Sequence, residues 1–496
     1  MPKSFYLTTT LPYVNAPLHM GHALELVRAD AIARYKKLAG YDVYFNTGTD
    51  EHGKKNYDKA LEKGLSPKEF VDQGFETFKE QLKMFGISDN AHFIRTTDKH
   101  HEAAAQEFWR RVHKNGYIYK KNYEAKYCVG CESEKTDSEL NEKGECQIHP
   151  GRPLELINEE NYFFKYSAFG DKLLDFYERN PDFIAPDFRF HEIKNFVKNS
   201  LQDFSISRLK SKMPWGIEVP GDAEHTMYVW FDALVNYIST LGWPDNTTPS
   251  AFGISPLAGG ENLFEKYWIN GTPTQYCGKD NTRFQGAMWQ AMLMAADLPN
   301  SHQIVVDGFI TGENGIRMSK TLGNVVDPRD IVKEYGTDAL RYFLLREISS
   351  FEDSPFTVER FKEAYNAGLA NGIGNLTSRI MKLAEMHLSE PILFENVSIK
   401  PSVVFQDAVS SFNLNIAMNH IWEYISNADE SIQKNQPFKV IKEDKEKGIE
   451  MIKELVLDLT HIAKLLEPFL PETSTKIQEC IKKNKMPEKP LFLRKD

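Results

Sequence analysis

With 496 residues, a net charge of −10 and 41% hydrophobic residues, the chain has an ordinary globular composition and is too long for one core, so three or four domains are expected. No apolar run approaches the roughly 20 residues of a membrane span, and the first residues lack a signal-peptide core, so a cytoplasmic protein with no membrane partner is expected. The acidic balance argues against a broad coat of nucleic acid but leaves room for a local basic track, which Lys36-Lys37, Arg110-Arg111, Lys120-Lys121 and Lys210 with Lys212 could supply.

Residues 5–9 alternate as a strand, and the loop Leu11-Pro12-Tyr13-Val14-Asn15-Ala16-Pro17 follows. A helix is expected from about His22 to Leu38, where Leu24, Val27, Ala31, Tyr35 and Leu38 recur at helical spacing before Gly40. Val43–Thr47 is a second strand. This strand–helix–strand start predicts an α/β fold, a doubly wound parallel sheet of Rossmann-like type, which binds ligands beyond the carboxyl ends of its strands. The Leu11–Pro17 loop and Thr49-Asp50-Glu51-His52 sit at such ends. From about 116 to 220, short aromatic and charged runs break the rhythm and read as an insertion. The strand–helix pattern is expected to resume with Met227-Tyr228-Val229-Trp230-Phe231-Asp232, then Thr274–Cys277, then Gln303–Val306. Beyond 355 the chain reads as a C-terminal all-α helical bundle. One apolar stripe runs through Ile449, Ile452, Leu455/Val456, Leu459, Ile462/Ala463, Leu466 and Phe469, and another through Phe405, Val409, Phe412, Ile416 and Ile421. The expected division is 1–115 and 223–320 for the two halves of the α/β domain, 116–222 for the insertion, 321–355 for a connecting region and 356–496 for the bundle.

Two segments suit a nucleotide. His19 and His22 are i,i+3 at a helix start and share one face. A helix N-terminus offers free N–H groups and partial positive charge to a phosphate. Gly21 permits close approach to the backbone. Lys320 lies in a loop with glycines at 315 and 323, where a mobile cation can close over a leaving pyrophosphate.

Of the five cysteines, Cys128, Cys131 and Cys146 stand with His149 in a Cys-x-x-Cys and a Cys-x-x-His separated by fourteen residues. Three thiolates and one imidazole close a tetrahedron, so one structural Zn2+ is expected, in the zinc-containing insertion.

His19-Met20-Gly21-His22 and Arg317-Met318-Ser319-Lys320-Thr321 resemble the HIGH and KMSKS signatures of class I aminoacyl-tRNA synthetases, departing from them at Met20, Arg317 and Thr321. Gly278-Lys279-Asp280 resembles the ribose-binding Gly-x-Asp. The blocks Leu11–Ala16, Asp50-Glu51-His52-Gly53 and Tyr228–Ala233 extend the resemblance over nearly the whole chain to the methionyl-tRNA synthetase family. That resemblance implies His19, His22 and Lys320 as catalytic residues. It implies ATP, carried with Mg2+, on His19, Gly21, His22, Gly278, Asp280, Met318, Ser319 and Lys320. It also implies L-methionine held by Leu11, Tyr13, Trp230, Ala233 and Tyr237 around the side chain, with Asp50 on the ammonium. A thioether forms no strong hydrogen bonds, so selection would rest on shape and sulfur–aromatic contact. Gln285 and Leu234 stand where many relatives have histidine and proline. Ser205-Ile206-Ser207-Arg208 resembles the segment that returns an arginine toward the active site. Asn375 and Arg379 resemble anticodon readers, and Phe438 after Pro437 stands where the family stacks an aromatic ring on an anticodon base. The partner implied is tRNA(Met). A monomer is expected, because the extra C-terminal domain that dimerises some relatives is absent. The alternatives are another class I ligase, chiefly the cysteinyl one, and a zinc-containing RNA-binding protein without catalysis.

Overall fold

The computed structural model describes residues 2–131, 133–135, 137–244, 262–316, 326–392 and 401–496. The chain divides into two compact units, one of residues 1–18, 40–80 and 90–306, the other of 19–39, 81–89 and 307–496.

The first unit is built on a six-stranded sheet in the order His92–Arg95, Asp42–Thr49, Ser4–Thr9, Thr272–Gly278, Gln303–Asp307, Ile184–Ala185. Ser4–Thr9 pairs in parallel with both its neighbours, and the outermost pair on each side is also parallel. The chain starts in the middle, builds outward to one edge, and later returns to build the other. The order therefore reverses between Ser4–Thr9 and Thr272–Gly278, where Thr9 lies opposite Tyr276. Open α/β sheets bind ligands at such a switch point. Phe5 to Thr9 are all buried, so the alternation expected of 5–9 is not an inside–outside pattern. A central strand covered on both faces buries every side chain. The helix Lys99–Lys114 buries Ala104, Ala105, Phe108, Trp109 and Val112. Phe108 stacks on Trp289 with ring centres 5.6 Å apart, and Trp109 meets Phe231 edge-on at 5.4 Å, a geometry aromatic pairs favour.

The stretch read as an insertion forms two antiparallel sheets. One has the order Ser133–Lys135, Ile118–Cys128, Glu155–Phe164, Phe204–Ser205, and the other Glu218–Val219, Asp222–Met227, Ser207–Leu209. The long pair runs in register from Ile118 opposite Phe164 to Tyr127 opposite Glu155, so residues 128–155 make its tip. The same stretch also delivers Ile184–Ala185, the sixth strand of the parallel sheet. The expected strand at Met227–Asp232 is corrected: the strand ends at Met227 and Val229–Ala233 is a helix. A short apolar run carries no periodicity when nearly all of it is buried, so strand and helix cannot be told apart there from sequence.

The second unit opens with the helix Met20–Leu38, in which every residue from Ala23 to Ala33 is buried. A stripe of Leu24, Val27 and Ala31 understates this: residues 23–33 are buried on every face, and Arg28 and Asp30 are paired inside the unit. Arg28 is wholly buried and donates to Asp307 at 2.7 Å and to the carbonyls of Ser349, Ile348 and Ser350 at 2.8, 3.0 and 3.0 Å. Asp30 accepts from Arg34 and from the backbone of Ser88, both at 2.8 Å, and pairs with Arg341 at 2.9 Å. Removing one partner of such a pair would strand a buried charge at a cost of roughly 3–5 kcal/mol. The rest of this unit is mainly helical. Lys445–Leu466 buries Ile452, Leu455, Val456, Leu459, Ile462, Ala463 and Leu466 along its expected stripe. The other stripe is split: Val403–Ser410 ends before Phe412, which has a positive φ of 61°, and a new helix starts at Leu414. The break turns Ile416 outward, leaving it 46% exposed. No helix among the described residues is long and apolar enough to cross a membrane.

Candidate active site and metal centre

Beyond the carboxyl end of Ser4–Thr9, Tyr13 and Asp50 form a parallel bridge, and the Asp50 amide donates to the Pro12 carbonyl at 3.0 Å. The two loops expected to meet a ligand are therefore joined to each other. Asn56 holds the second loop in shape, its amide donating to the carbonyls of Asp50 at 3.0 Å and His52 at 3.1 Å. The Lys55 ammonium lies 4.8 Å from the centre of the Tyr13 ring. Leu11, Asp50, Ala233 and Tyr237 are buried. Trp230, half-buried at the start of the helix Val229–Ala233, stacks face to face on Phe284 with ring centres 3.8 Å apart and planes 4° off parallel. Gln285, next to that ring, is buried, and its amide donates to Thr10 Oγ1 at 3.0 Å. Among the described residues, Gln285 Oε1 and Trp230 Nε1 make no hydrogen bond. Two buried polar atoms left open, one on the stack and one on the residue after Phe284, suit a wall that a ligand completes.

His19 caps the helix Met20–Leu38. Its Nδ1 accepts from the amides of Gly21 at 3.1 Å and His22 at 3.4 Å, while His22 Nδ1 accepts from the His19 amide at 3.3 Å. This reciprocal cap stacks the two rings 3.7 Å apart. An Nδ1 that accepts cannot carry a proton, so each neutral ring bears its N–H on Nε2. Burial, and then the neighbouring His19 ring, push the His22 pKa well below the usual histidine value. The helix N-terminus thus presents two neutral imidazole N–H groups, its Gly21 and His22 amides being taken up by the cap. Gly21 has a second reason to lack a side chain: a Cβ there would lie 3.1 Å from His19 Cε1 and crowd the capping ring.

Gly278 ends its strand at the switch point, and a single turn, Lys279–Asn281, leaves Asp280 exposed. Met318, Ser319 and Lys320, with Arg317 and Thr321, lie outside the described residues.

At the hairpin tip, ligand atoms of Cys128, Cys131, Cys146 and His149 all fall within 4.8 Å of one another. Cys131 Sγ lies 3.6 Å from Cys146 Sγ and 3.3 Å from His149 Nδ1, and Cys128 Sγ lies 3.8 Å from that nitrogen. Metal–sulfur bonds of about 2.3 Å in a tetrahedron give ligand–ligand edges of about 3.8 Å, so the set fits one four-coordinate ion. The Cys131 amide points at Cys128 Sγ, 3.4 Å away. Burial opposes ionisation of Cys146, but hydrogen bonds from the amides of His149 and Ile148 and from the Cys131 and Cys128 thiols together outweigh it and lower the thiol pKa. A Cβ on Gly130 would stand 2.6 Å from His149 Cγ, so only glycine lets the imidazole close over this turn. These four residues form a possible metal site.

Arg208 is buried, donates to Ser205 Oγ at 2.8 Å and to the Ser207 carbonyl at 2.7 Å, and lies over the rings of Tyr127 and Tyr228. It lines a pocket of about 310 Å3 with Gly53, Lys54, Trp215 and Tyr228. Asn375 and Arg379 occupy one helix, Asn375–His387, with Asn375 exposed and Arg379 paired with Asp429. Phe438 is 41% exposed on the helix Pro437–Glu443. Sequence reasoning missed three buried groups behind the Asp50 loop, His52, His101 and Asp232, which share hydrogen bonds. His52 and Asp232 lie inside the Asp50–Gly53 and Tyr228–Ala233 blocks, and Asp232 stands out as a charge with no local partner in an aromatic run. Nothing in the sequence marks His101 or the link between the three.

The family model described as tRNA synthetases class I (M) matches residues 5–149 and 139–381. The chain is 41% identical over 500 residues to the methionine–tRNA ligase of Caldanaerobacter subterraneus, covering 97% of this chain and 74% of the relative. It is 37% identical to that of Thermotoga maritima, covering 98% and 76%. Its structure superposes on Mycobacterium tuberculosis methionyl-tRNA synthetase in complex with methionyl-adenylate with a TM-score of 0.85 at 34% identity, covering 96% of this chain and 93% of the other. The apo form of that enzyme gives a TM-score of 0.81 at 30% identity. The chain belongs to the class I tRNA synthetases and, within them, to the methionine–tRNA ligase family.

Proposed function

We propose that this chain activates L-methionine with ATP and transfers it to the 3′ end of tRNA(Met). The methionine carboxylate attacks the α-phosphate, pyrophosphate leaves with its electron pair, and the mixed anhydride then passes methionine to a ribose hydroxyl as AMP departs. No side-chain nucleophile is needed, so the protein supplies position and electrostatics. In this reading Asp50 pairs with the substrate ammonium, and Leu11, Tyr13, Trp230, Ala233 and Tyr237 surround the thioether. His19 and His22 donate from Nε2 to the phosphates, and Gly21 leaves room at the helix start. Gly278 and Asp280 hold the ribose. Met318, Ser319 and Lys320 close on the pyrophosphate, whose charge Mg2+ shares. Cys128, Cys131, Cys146 and His149 would hold a zinc ion, which would supply a structural cross-link at the hairpin tip and no part of the chemistry. Asn375, Arg379 and Phe438 read the anticodon, which requires Arg379 to exchange Asp429 for RNA. The same reading takes the chain as a cytoplasmic monomer and assigns residues 1–115 and 223–320 to catalysis, 116–222 to the connective insertion, 321–355 to the tRNA stem and 356–496 to the anticodon.

The observation that carries the proposal is the reciprocal His19–His22 cap, which leaves two neutral N–H donors at a helix N-terminus in a chain of this family. ATP–pyrophosphate exchange measured across the amino acids tests it. Exchange is expected with methionine; stimulation by cysteine or isoleucine in its place would sink the assignment.

A further inference from the structure

Behind the residues assigned to methionine lies a buried charged cluster that the assignment does not use. Asp232, wholly buried, sits in the helix Val229–Ala233 between Trp230 and Ala233. Its Oδ2 lies 2.7 Å from His52 Nδ1 and its Oδ1 lies 2.9 Å from His101 Nε2. His101 Nδ1 is in turn 2.8 Å from Ser239 Oγ, on the short helix that carries Tyr237. His52 follows Asp50 by two residues, and Asn56 holds the carbonyls of both. One carboxylate therefore joins the loop bearing Asp50, the helix bearing Trp230 and Ala233, and, through His101, the helix bearing Tyr237.

The charges facing this cluster are few. His52 faces Asp232, Glu51 and Glu102, whose Oε1 lies 3.9 Å from Nε2. Glu51 is itself clasped by Arg95 through two bonds of 2.7 and 2.9 Å. Glu102 also faces Asp98 and His101. Burial works against a proton on His52, but Asp232 and then Glu102 and Glu51 outweigh it and hold the pKa above the usual histidine value. Asp232 stays ionised despite burial, because both imidazoles stabilise its charge. A core has no need of such ions, since apolar residues of equal volume pack as stably. What a carboxylate held from two sides adds is direction: displacing it breaks two charge-assisted bonds at once.

We propose that Asp232 is a positioning residue for methionine, setting the distance between the Asp50 carboxylate and the Trp230–Ala233 wall through His52 and His101. This rests on the reading of Asp50, Trp230 and Ala233 as the methionine site.

The test is methionine- and ATP-dependent pyrophosphate exchange from pH 6 to 9 on Asp232→Asn and His52→Gln, with Asp50→Ala alongside and thermal melts of each. Asp232→Asn should raise the methionine KM 10- to 100-fold while the ATP KM and kcat move less than threefold. The wild-type methionine KM should rise with pH through an inflection above 6.5 as His52 loses its proton, and both variants should lack that inflection. A folded Asp232→Asn enzyme with an unchanged methionine KM, or with kcat and both KM values altered alike, overturns the proposal. If Asp232→Asn does not fold, His52→Gln decides by the same readouts. If Asp50→Ala leaves the methionine KM unchanged, the underlying site assignment fails and the proposal falls with it. If Asp50→Ala raises it and Asp232→Asn does not, the positioning role alone is overturned.

Discussion

The hairpin tip and the base of the proposed methionine pocket both gather titratable side chains, but they draw them from very different distances along the chain. Cys128, Cys131, Cys146 and His149 lie on one hairpin and converge within 4.8 Å. His52 and Asp232 meet at 2.7 Å across 180 residues of sequence, and His101 joins them across 131. Local chain geometry alone brings the first set together once the hairpin forms. The second set meets only when helices and loops from distant parts of the chain have packed. Many side chains at the tip are exposed, so an ion on the proposed metal site would compensate poor burial there, whereas the pocket base is held by burial and charge together.

The largest expected effect separates the two regions. Cys146→Ala, or removal of metal with a chelator, should abolish bound zinc and cut tRNA charging more than a hundredfold. Methionine-dependent pyrophosphate exchange should stay within tenfold of wild type, because the tip folds on its own ligands. Full charging by metal-free protein would refute a structural role for the ion. Next comes Asp50→Ala, which removes the proposed partner of the substrate ammonium. Exchange should lose roughly 100- to 1000-fold in kcat/KM for methionine, the ~3–4 kcal/mol expected for an unpaired charge. An equal loss with respect to ATP would place Asp50 elsewhere.

A smaller effect is expected from Ala233→Val, which adds two methyl groups to a buried wall. Overpacking at about 1–2 kcal/mol should raise the methionine KM roughly 5- to 30-fold with the ATP KM unchanged. No change would remove Ala233 from the pocket.

The smallest effect is a contrast of sign between two histidines. The folded chain keeps His22 neutral, so below about pH 6.5 the unfolded chain takes up a proton that the folded one refuses. Stability should therefore fall on that side as the pH drops. His52 is shifted the other way. Its contribution is full below about pH 6.5 and is lost as the pH rises through its folded pKa. In melts across pH 5–9, His22→Gln should flatten the acid limb and His52→Gln the alkaline one. Wild-type slopes in both variants would show that neither histidine is coupled to folding.

The elements legible in the sequence were those written over a few turns or one strand–helix–strand unit. The two histidines at i,i+3 marked a helix start, though two residues late, and the spacing of the hairpin ligands marked a possible metal site. What stayed hidden had no short-range mark. Arg28 inside an apolar helix gave no hint that it would bond Asp307 at 2.7 Å. Ile184–Ala185, two residues long, could not be read as the sixth strand of a sheet begun at Ser4. The run at 229–233 is nearly all buried, so neither period showed.

By itself, then, the sequence determined the α/β start, the helix that follows the first signature, the four hairpin ligands and the kinship with class I synthetases. Each follows from neighbours that backbone geometry places within a turn or a hairpin, or from motifs specific enough to stand alone. Tertiary structure decided the strand order and its switch point, the Trp230–Phe284 stack, and the sharing of Asp232 by two histidines. Those contacts close loops of more than fifty residues. Their entropy cost is met by the packing of whole elements, and no local pattern records which distant partner that packing will bring.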